Sequence, residues 1–236
     1  MARRYAIYFA PAVADPLWKR AAHWLGRDAA TGQSLAEPMG QFSREQLDAF
    51  TQSARRYGFH ATLKAPMALY PDQNEAGLLQ ALTAFGAAHG PVPLGFLQLQ
   101  MHHGFLALMP PQPNDALQDL AAHVVENFEP FRAPLSVKDR ARRAAAGLTP
   151  RQEELLDGYG YPYVFEEFQF HMTLTDRLDE ADQAPVLAAA QSWFSPALAA
   201  SVVLDRLSLF VEPQPGEPFQ RLTDHPLLGP GSDTVP

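Results

Sequence analysis

Two short segments of the sequence carry residue types that can do acid-base chemistry on a phosphate. Residues 59–63 (FHATL) and 170–174 (FHMTL) agree at phenylalanine, histidine, threonine and leucine. Histidine titrates near neutrality, so one imidazole can take a proton from water while a protonated one donates to the leaving oxygen. The repeat therefore predicts His60 and His171 as the general acid and base, in a scheme that requires no metal.

Both segments are typical of β-strands, the second over about 168–175. In a strand, alternate side chains share a face, so Thr62 points to the same side as His60 and Thr173 to the same side as His171. The apolar neighbours then point to a core behind the strand. A threonine hydroxyl can donate a hydrogen bond to a phosphate oxygen. We expect Thr62 and Thr173 to bind the phosphate.

The elements around the two histidine strands repeat along the chain. Helix, short strand, helix and hairpin follow one another over about 43–110 and again over 150–223. Two related halves usually place equivalent residues around one shared cleft. We predict an α+β fold with a bilobal pseudo-two-fold duplication, with antiparallel sheets lining a central cleft and helices outside. Residues 1–228 would form this single domain, and the tail 229–236 would be disordered.

Capping residues mark where the helices should begin and end. Asp15 with the proline after it, Ser43 with Gln46, and Thr149 with its own glutamine three residues on are N-terminal signals. Asp72 is the expected cap of a further helix, and Gly158 is the expected end of the helix that Thr149 starts. Turn residues between two strand-like runs predict a hairpin at 102–104.

The two H-x-T strands, more than a hundred residues apart, resemble the two-histidine (2H) phosphoesterase superfamily, which includes RNA-end cyclic phosphodiesterases. Four longer segments are similar to a bacterial branch of unknown function encoded in phosphonate-degradation operons. These are RYGFHATLKAP at 56–66, GLTPRQ at 147–152, GYPYV at 160–164 and FHMTLT at 170–175. The resemblance implies that the two histidines and two threonines face each other across a cleft, and that the chemistry is that of cyclic phosphodiesters or related phosphate esters.

Residues beside the histidine strands are further candidates for substrate contacts. By strict alternation Lys64 shares the face of His60, and Thr175 is its counterpart on the second strand. Arg56 and Tyr57 come just before the first strand. Each of these four could approach an anionic phosphate or could equally be a solvated strand end or helix end.

A basic stretch between residues 132 and 143 carries five bases against one acid, in a chain of formal charge −8. The candidate phosphate ligands in it are Arg140, Arg142 and Arg143. The alternative is simple arginine enrichment, since arginine is the commonest base of this chain. Tyr161 and Tyr163 alternate ahead of the second histidine strand and are candidates for a ribose or base pocket, or for the core.

Composition excludes several classes of function. The chain has no cysteine, which removes thiolate metal sites and cysteine nucleophiles. The acidic balance disfavours long nucleic acid, and no apolar run is long enough to span a bilayer. His102 and His103 match no compact metal motif and are expected as exposed turn residues. We expect a cytoplasmic bacterial protein without cofactor or metal, favoured as a monomer, whose partner is a small phosphorylated substrate.

These observations predict a metal-independent, cyclic phosphodiesterase-like hydrolase for a small phosphorylated metabolite. The operon association of the similar branch points to a ribose cyclic phosphate from phosphonate breakdown. Two alternatives remain open: a non-catalytic phosphometabolite-binding protein that keeps the cleft, and an RNA-end 2′,3′-cyclic phosphodiesterase.

Overall fold

The computed structural model describes residues 3–37, 41–145 and 147–230. Nine strands and eight α-helices lie within these ranges, and the paired strands are antiparallel. The strands are β1 Arg4–Phe9, β2 Ala61–Met67, β3 Val92–Gly95, β4 Gln98–His102, β5 Phe105–Met109, β6 Met172–Thr173, β7 Val202–Leu204, β8 Arg206–Glu212 and β9 Gln220–Pro226. The helices are α1 Pro16–Leu25, α2 Arg44–Phe50, α3 Gln52–Tyr57, α4 Glu75–Ala88, α5 Asp115–Asn127, α6 Val137–Ala144, α7 Pro150–Tyr159 and α8 Glu180–Leu198. The predicted α+β class with antiparallel sheets is confirmed.

Three predicted helix starts are confirmed by their caps. Asp15 accepts the N–H of Leu17 with Oδ1 at 2.7 Å, directly before α1. Ser43 and Thr149 each form a capping box with the glutamine three residues later. Such side chains satisfy N–H groups that the first helical turn leaves without a partner.

Two other helix boundaries were placed wrongly from the sequence. The cap of α4 is Asn74, not Asp72, because Asn74 is extended and its Oδ1 accepts the N–H of Gly77 at 2.9 Å. Helix α7 continues through Gly158 and ends at Gly160, which has a φ of 72°. Glycine adopts this left-handed conformation without the steric penalty of a Cβ, so it is the second glycine that ends the helix.

The second histidine strand is much shorter than the predicted 168–175. Residues Phe165–Glu167 form a single 3-10 turn, and only the two residues of β6 make ladder bonds. Beyond them, the N–H groups of Leu174 and Thr175 both donate to the carbonyl of Leu106, at 2.8 and 3.3 Å. This shared acceptor ends the regular register and turns the chain away from the sheet.

Seven strands form one sheet in the order β4-β5-β6-β2-β1-β8-β9, and β3 pairs with β7 in a small second sheet. The order is symmetric about the boundary between β6 and β2. Strands β5 and then β4 follow on the β6 side, and strands β1 and then β8 follow on the β2 side. Strand β9 is an additional edge strand beyond β8. The two histidine strands are therefore the central pair, where the two halves of the fold meet.

This order supports a repeat that runs from β1 to β4 and again from β5 to β8, because both β1 and β5 are followed by a long helix and then by a histidine strand. The segments 43–110 and 150–223 and the single domain 1–228 stay predictions. Of the predicted tail 229–236, residues 231–236 lie outside the described residues, while the N–H of Gly229 donates to the carbonyl of His89 at 3.1 Å.

A continuous hydrophobic core lies behind the central strands and includes Phe59, Leu63, Met172 and Leu174, each at most 2% exposed. Helices α1 and α8 pack against each other, while α5 packs against β2 and α8 against β4. With the core on one face of β2 and β6, the opposite face is available for a site. Among the described residues, no helix has the length and apolar character that crossing a membrane requires.

Candidate active site

The strand pairing brings the two H-x-T units together on one face of the sheet. Ala61 pairs with Met172 between antiparallel β2 and β6, and both are buried against the core. Continuing this register by one residue in each direction sets each histidine opposite the threonine of the other strand. The two histidines are then diagonal neighbours, about 7–8 Å apart in such a ladder.

The two imidazoles are held in the same way. Nδ1 of His60 lies 2.8 Å from the carbonyl of Gly58, and Nδ1 of His171 lies 2.8 Å from the carbonyl of Gln169. A carbonyl oxygen only accepts, so Nδ1 donates in both rings and Nε2 carries the lone pair of the neutral imidazole. Both rings are therefore oriented by the backbone two residues earlier, and Nε2 of each ring has no hydrogen-bond partner among the described residues.

Gly58 makes this arrangement possible on the first strand. Its φ is +80°, a conformation that side chains rarely adopt, and a Cβ there would lie 2.6 Å from the Cβ of Ala29. The glycine thus aims its own carbonyl at His60 while the chain passes close to Ala29. This gives the glycine of the RYGFH segment a positioning role that the sequence alone did not reveal.

Burial keeps both histidines uncharged near neutral pH. The ring of His60 stacks on Tyr8 with centroids 3.7 Å apart and an interplanar angle of 21°. Burial lowers the pKa of His60 to about 4, against the hydrogen bond to Gly58 and reinforced by the nearby His171. Burial also lowers the pKa of His171, with a further contribution from His103. A bound phosphate anion favours the protonated form of an imidazole beside it, and the protonated imidazole is the form that can act as a general acid.

The shifted pKa of His60 should appear in the pH dependence of stability. Between the ordinary pKa of 6.5 and the folded value of about 4, the unfolded chain binds a proton that the folded chain does not. Stability is therefore lost as pH falls through this window. We expect urea unfolding of the native chain to lose about 2 kcal/mol more between pH 7.5 and 4.5 than His60→Gln does. His123→Gln, at an exposed position, should retain the native dependence. An equal loss in His60→Gln would contradict the buried neutral state.

A cavity of about 640 Å³ opens over the two histidines. Its lining residues are Arg4, Tyr8, Ser53, Ala54, Tyr57, Gly58, His60, Thr62, Ala65, Pro66, Phe105, Arg142, Arg143, Tyr161, His171, Thr173, Thr175, Asp176 and Arg177. Its charged lining consists of four arginines and one aspartate. Asp176 accepts the N–H groups of Ser53 and Ala54 at 2.8–3.0 Å. The cleft is thus cationic in an acidic chain, as an anionic ligand requires.

Five of the further candidates line this cleft: Tyr57, Arg142, Arg143, Tyr161 and Thr175. Tyr57 stacks on a buried phenylalanine with centroids 5.0 Å apart. Arg143 donates to the carbonyl of the cleft residue Pro66 and to that of Gly160, and burial raises the pKa of Tyr161 to about 12. Thr175 is fully buried, and its Oγ1 already accepts the N–H of Leu106 at 2.9 Å.

Lys64 does not lie in the cleft. Thr62 pairs with Tyr8 of β1, but Lys64 pairs with Ile7, so one extra residue is inserted into β2 between these two pairs. This bulge moves Lys64 onto the face opposite Thr62, against the strict alternation that the prediction assumed. Its ammonium group is 3% exposed and donates to the carbonyl of Val125 at 2.8 Å and to Glu129 at 2.5 Å.

Three other candidates also lie outside the lining. Arg56 forms an ion pair with buried Glu212. Arg140 makes a two-pronged pair with Asp157 at 2.6 and 2.9 Å on the exposed side of α6. Tyr163 is 40% exposed and contacts Tyr161 edge to face. Their side chains are turned to the surface or to another charged group.

Several lining residues were not predicted from the sequence: Arg4, Tyr8, Ser53, Phe105, Asp176 and Arg177. A signal existed for some of them. Arg4 and Tyr8 are separated by an even number of positions in β1, so they share a face. Asp176 and Arg177 directly follow the second H-x-T strand. What the sequence did not show is that β1 and β5 flank the histidine strands.

The predicted turn at residues 102–104 joins β4 to β5 through His103 and Gly104, whose φ values of 49° and 87° suit a two-residue hairpin turn. The ring of His102 lies 5.5 Å from that of His171. Within the described part of the chain, no group of three or more His, Cys, Asp and Glu side chains is placed to hold a metal ion.

Comparison with known proteins gives a family and two curated relatives. A family model described as "Protein of unknown function (DUF1045)" matches residues 62–220. A ribose 1,5-bisphosphate phosphokinase PhnN of Janthinobacterium sp. (strain Marseille) is 40% identical over 97% of this chain and 51% of its own length. A protein of the same name from Laribacter hongkongensis (strain HLHK9) is 37% identical over 92% of this chain and 50% of its own. The chain thus spans about half the length of these relatives.

Among solved structures, E. coli LigT complexed with 3′-AMP is similar, with a TM-score of 0.44 and 14% identity over 96% of this chain and 99% of that one.

Proposed function

The chain belongs to the DUF1045 family of proteins of unknown function, and from that premise we propose that it is a phosphoesterase that hydrolyses a small cyclic phosphodiester. The observation that carries the proposal is the cleft itself. Two H-x-T units on adjacent central strands face one cationic cavity, and both imidazoles have Nδ1 held by a backbone carbonyl and Nε2 free.

The reaction that fits this arrangement is the attack of water on phosphorus. The Nε2 atom of one histidine takes a proton from water as its oxygen bonds to phosphorus. The bond from phosphorus to one ring ester oxygen breaks, and the other histidine, protonated beside the bound anion, gives its proton to that oxygen. The product is a phosphomonoester with a free hydroxyl group. Each well-placed acid or base contributes about 10²–10⁴-fold, and neither role requires a metal.

The two threonines would stabilise the charge that grows on the non-bridging phosphate oxygens. Replacing Thr62 or Thr173 with valine keeps the shape and removes one hydroxyl donor. We expect kcat/KM for a cyclic phosphodiester to fall by about 10- to 100-fold in each variant. Thr223→Val, on the edge strand β9 and outside the cleft, is the matched control. Activity within twofold of the native chain in both cleft variants would remove the threonines from the mechanism.

For the substrate we propose a ribose cyclic phosphate formed in phosphonate breakdown. The name that the two relatives share concerns a phosphorylated ribose, which supports this chemical class. The kinase activity in that name is not what we propose here, because this sequence has no G-x-x-x-x-G-K-[ST] phosphate loop. An RNA end is a less suitable substrate for a chain of charge −8.

A turnover screen tests the proposal. Ribose and nucleoside cyclic phosphates and a cyclic-phosphate-ended RNA oligonucleotide would be incubated with the chain in the presence of a chelator. Ribose 1,5-bisphosphate would be incubated separately with ATP and Mg²⁺, and the products of all reactions would be analysed by phosphorus NMR. We expect ring opening of a small cyclic phosphate with a bell-shaped pH profile. Binding without turnover would favour the non-catalytic alternative, and phosphorylation of the bisphosphate would overturn the proposal in favour of a kinase.

A further inference from the structure

The cleft holds more positive charge than one phosphate between the H-x-T units uses. Its volume of about 640 Å³ is in the range that accommodates a whole small-molecule ligand. The two histidines and two threonines serve the reacting phosphate, yet Arg4, Arg142 and Arg143 also line the same cavity. We name these three residues the arginine end of the cleft.

Two independent placements put the arginine end away from the reacting phosphate. On β1, Tyr8 lies opposite Thr62, and Arg4 is four residues further along the strand on the same face, about 13 Å away. On β2, the chain runs in the matching direction from Thr62 to Pro66, whose carbonyl accepts from Arg143 at 2.9 Å. Arg4 of strand β1 and Arg143 of helix α6 therefore lie at the same end of the cleft.

The guanidinium of Arg4 is held in place while part of it stays available. Its Nε donates to Glu212, a side chain with no solvent exposure. No described residue accepts from either Nη of Arg4, and these two nitrogens match the geometry of two phosphate oxygens. Arg143 is anchored by two carbonyls, and Arg142 reaches the cleft from the exposed side of α6, where it pairs with Asp139 at 2.7 Å.

We propose that the arginine end binds a second phosphate group of the same substrate, so that the substrate is a cyclic phosphodiester that also bears a phosphomonoester at a distant carbon. This rests on the proposed function, because the first phosphate is taken to lie between the H-x-T units. The second group would anchor the substrate through fixed cations and align its ring for attack, an effect felt in KM and in the rate alike.

A matched pair of substrates tests this inference: cytidine 2′,3′-cyclic phosphate with and without a 5′-phosphate. The native chain should show a higher kcat/KM for the 5′-phosphorylated compound. In Arg4→Met the ratio of the two kcat/KM values should fall by about 10- to 100-fold, the effect of losing a charge-assisted hydrogen bond pair. Arg151→Met, on the exposed side of α7 where Arg151 pairs with Glu154 and Glu166, removes the same charge outside the cleft and should leave the ratio unchanged.

Folding of Arg4→Met needs its own check, because the variant leaves Glu212 with Arg56 as its one ion-pair partner among the described residues. Arg142→Met carries no such risk, since its side chain is 58% exposed, and it should lower the same ratio. If Arg4→Met does not fold, the Arg142→Met ratio decides. A native ratio near one, or a ratio unchanged in a folded cleft variant, overturns the inference.

Failure of the proposed function can be told apart from failure of this inference. If the native chain hydrolyses neither compound, the phosphoesterase proposal is wrong. The second phosphate site is then tested by measuring the binding of the same two compounds by calorimetry. The second phosphate site is supported if the native chain binds the 5′-phosphorylated compound more tightly and this preference is lost in Arg4→Met or Arg142→Met. Equal binding of the two compounds, or equal loss in both, removes it.

Discussion

Replacing either His60 or His171 with alanine is expected to lower kcat for a cyclic phosphodiester by about 10²- to 10⁴-fold. The physical reason is that the proposed mechanism moves a proton at Nε2 of each imidazole, while Nδ1 of each ring is committed to a carbonyl. Losing the base leaves water un-ionised, and losing the acid leaves an alkoxide without a proton. Single-turnover rates with saturating substrate would measure the chemical step directly.

The double variant makes this prediction sharper. Residues that act as a unit give non-additive losses, so His60→Ala/His171→Ala should be no slower than the slower single variant by more than a few fold. His123→Ala, at an exposed position on α5, is the control for loss of an imidazole elsewhere. Losses that multiply in the double variant would mean that the two histidines act independently, and retained activity in either single variant would exclude the acid-base pair.

The shared facing of the two H-x-T units was predictable because it depends on local patterns. The H-x-T spacing fixes His60 and Thr62 on one face through the two-residue period of a strand, and the apolar residues between them fix the other face to the core. The predicted internal repeat then favoured one shared site for both strands. These are short-range arguments, and the pairing of Ala61 with Met172 agrees with them.

Lys64 shows where such arguments stop. The same two-residue period predicts that Lys64 lies on the face of Thr62. A bulge in β2 instead turns Lys64 to the opposite face, and the local sequence does not indicate this bulge. On the opposite face Lys64 donates to Val125 and Glu129, which are distant in the sequence. Register irregularities set by tertiary packing cannot be read from alternation alone.

For a related reason, the sequence did not indicate which arginines of α6 line the cleft. This helix buries none of its described residues. Its apolar positions Val137 and Ala141 are exposed, so its apolar stripe does not indicate which face meets the protein. Arg140 turns to Asp157, while Arg142 and Arg143 turn to the cleft. Arg4 was missed because its role depends on β1 lying beside β2, a long-range pairing that composition and spacing do not determine.

Glu212 links these long-range contacts and offers the second large effect. Its carboxylate at the end of β8 pairs with Arg4 and Arg56 and also accepts the N–H of Gly216 at 3.0 Å. Burial raises the pKa of Glu212, but the hydrogen bonds from Arg4, Gly216 and Arg56 and the charge of Arg4 outweigh it, so the net shift is downward. The carboxylate therefore stabilises the fold in its charged form.

We expect Glu212→Ala to lower the free energy of unfolding at pH 7 by about 2–4 kcal/mol, somewhat below the usual loss for a fully buried pair because both arginines reach solvent. Urea unfolding would measure it, with exposed Glu217→Ala as the control at within about 0.5 kcal/mol of the native chain. Because the folded pKa of Glu212 is lowered, its contribution to stability is complete above the ordinary glutamate pKa and is lost as pH falls through the folded value. The free energies of unfolding of Glu212→Ala and Glu217→Ala should therefore converge at acidic pH. A loss equal to that of Glu217→Ala would show that Arg4 is held by the cleft without its buried partner.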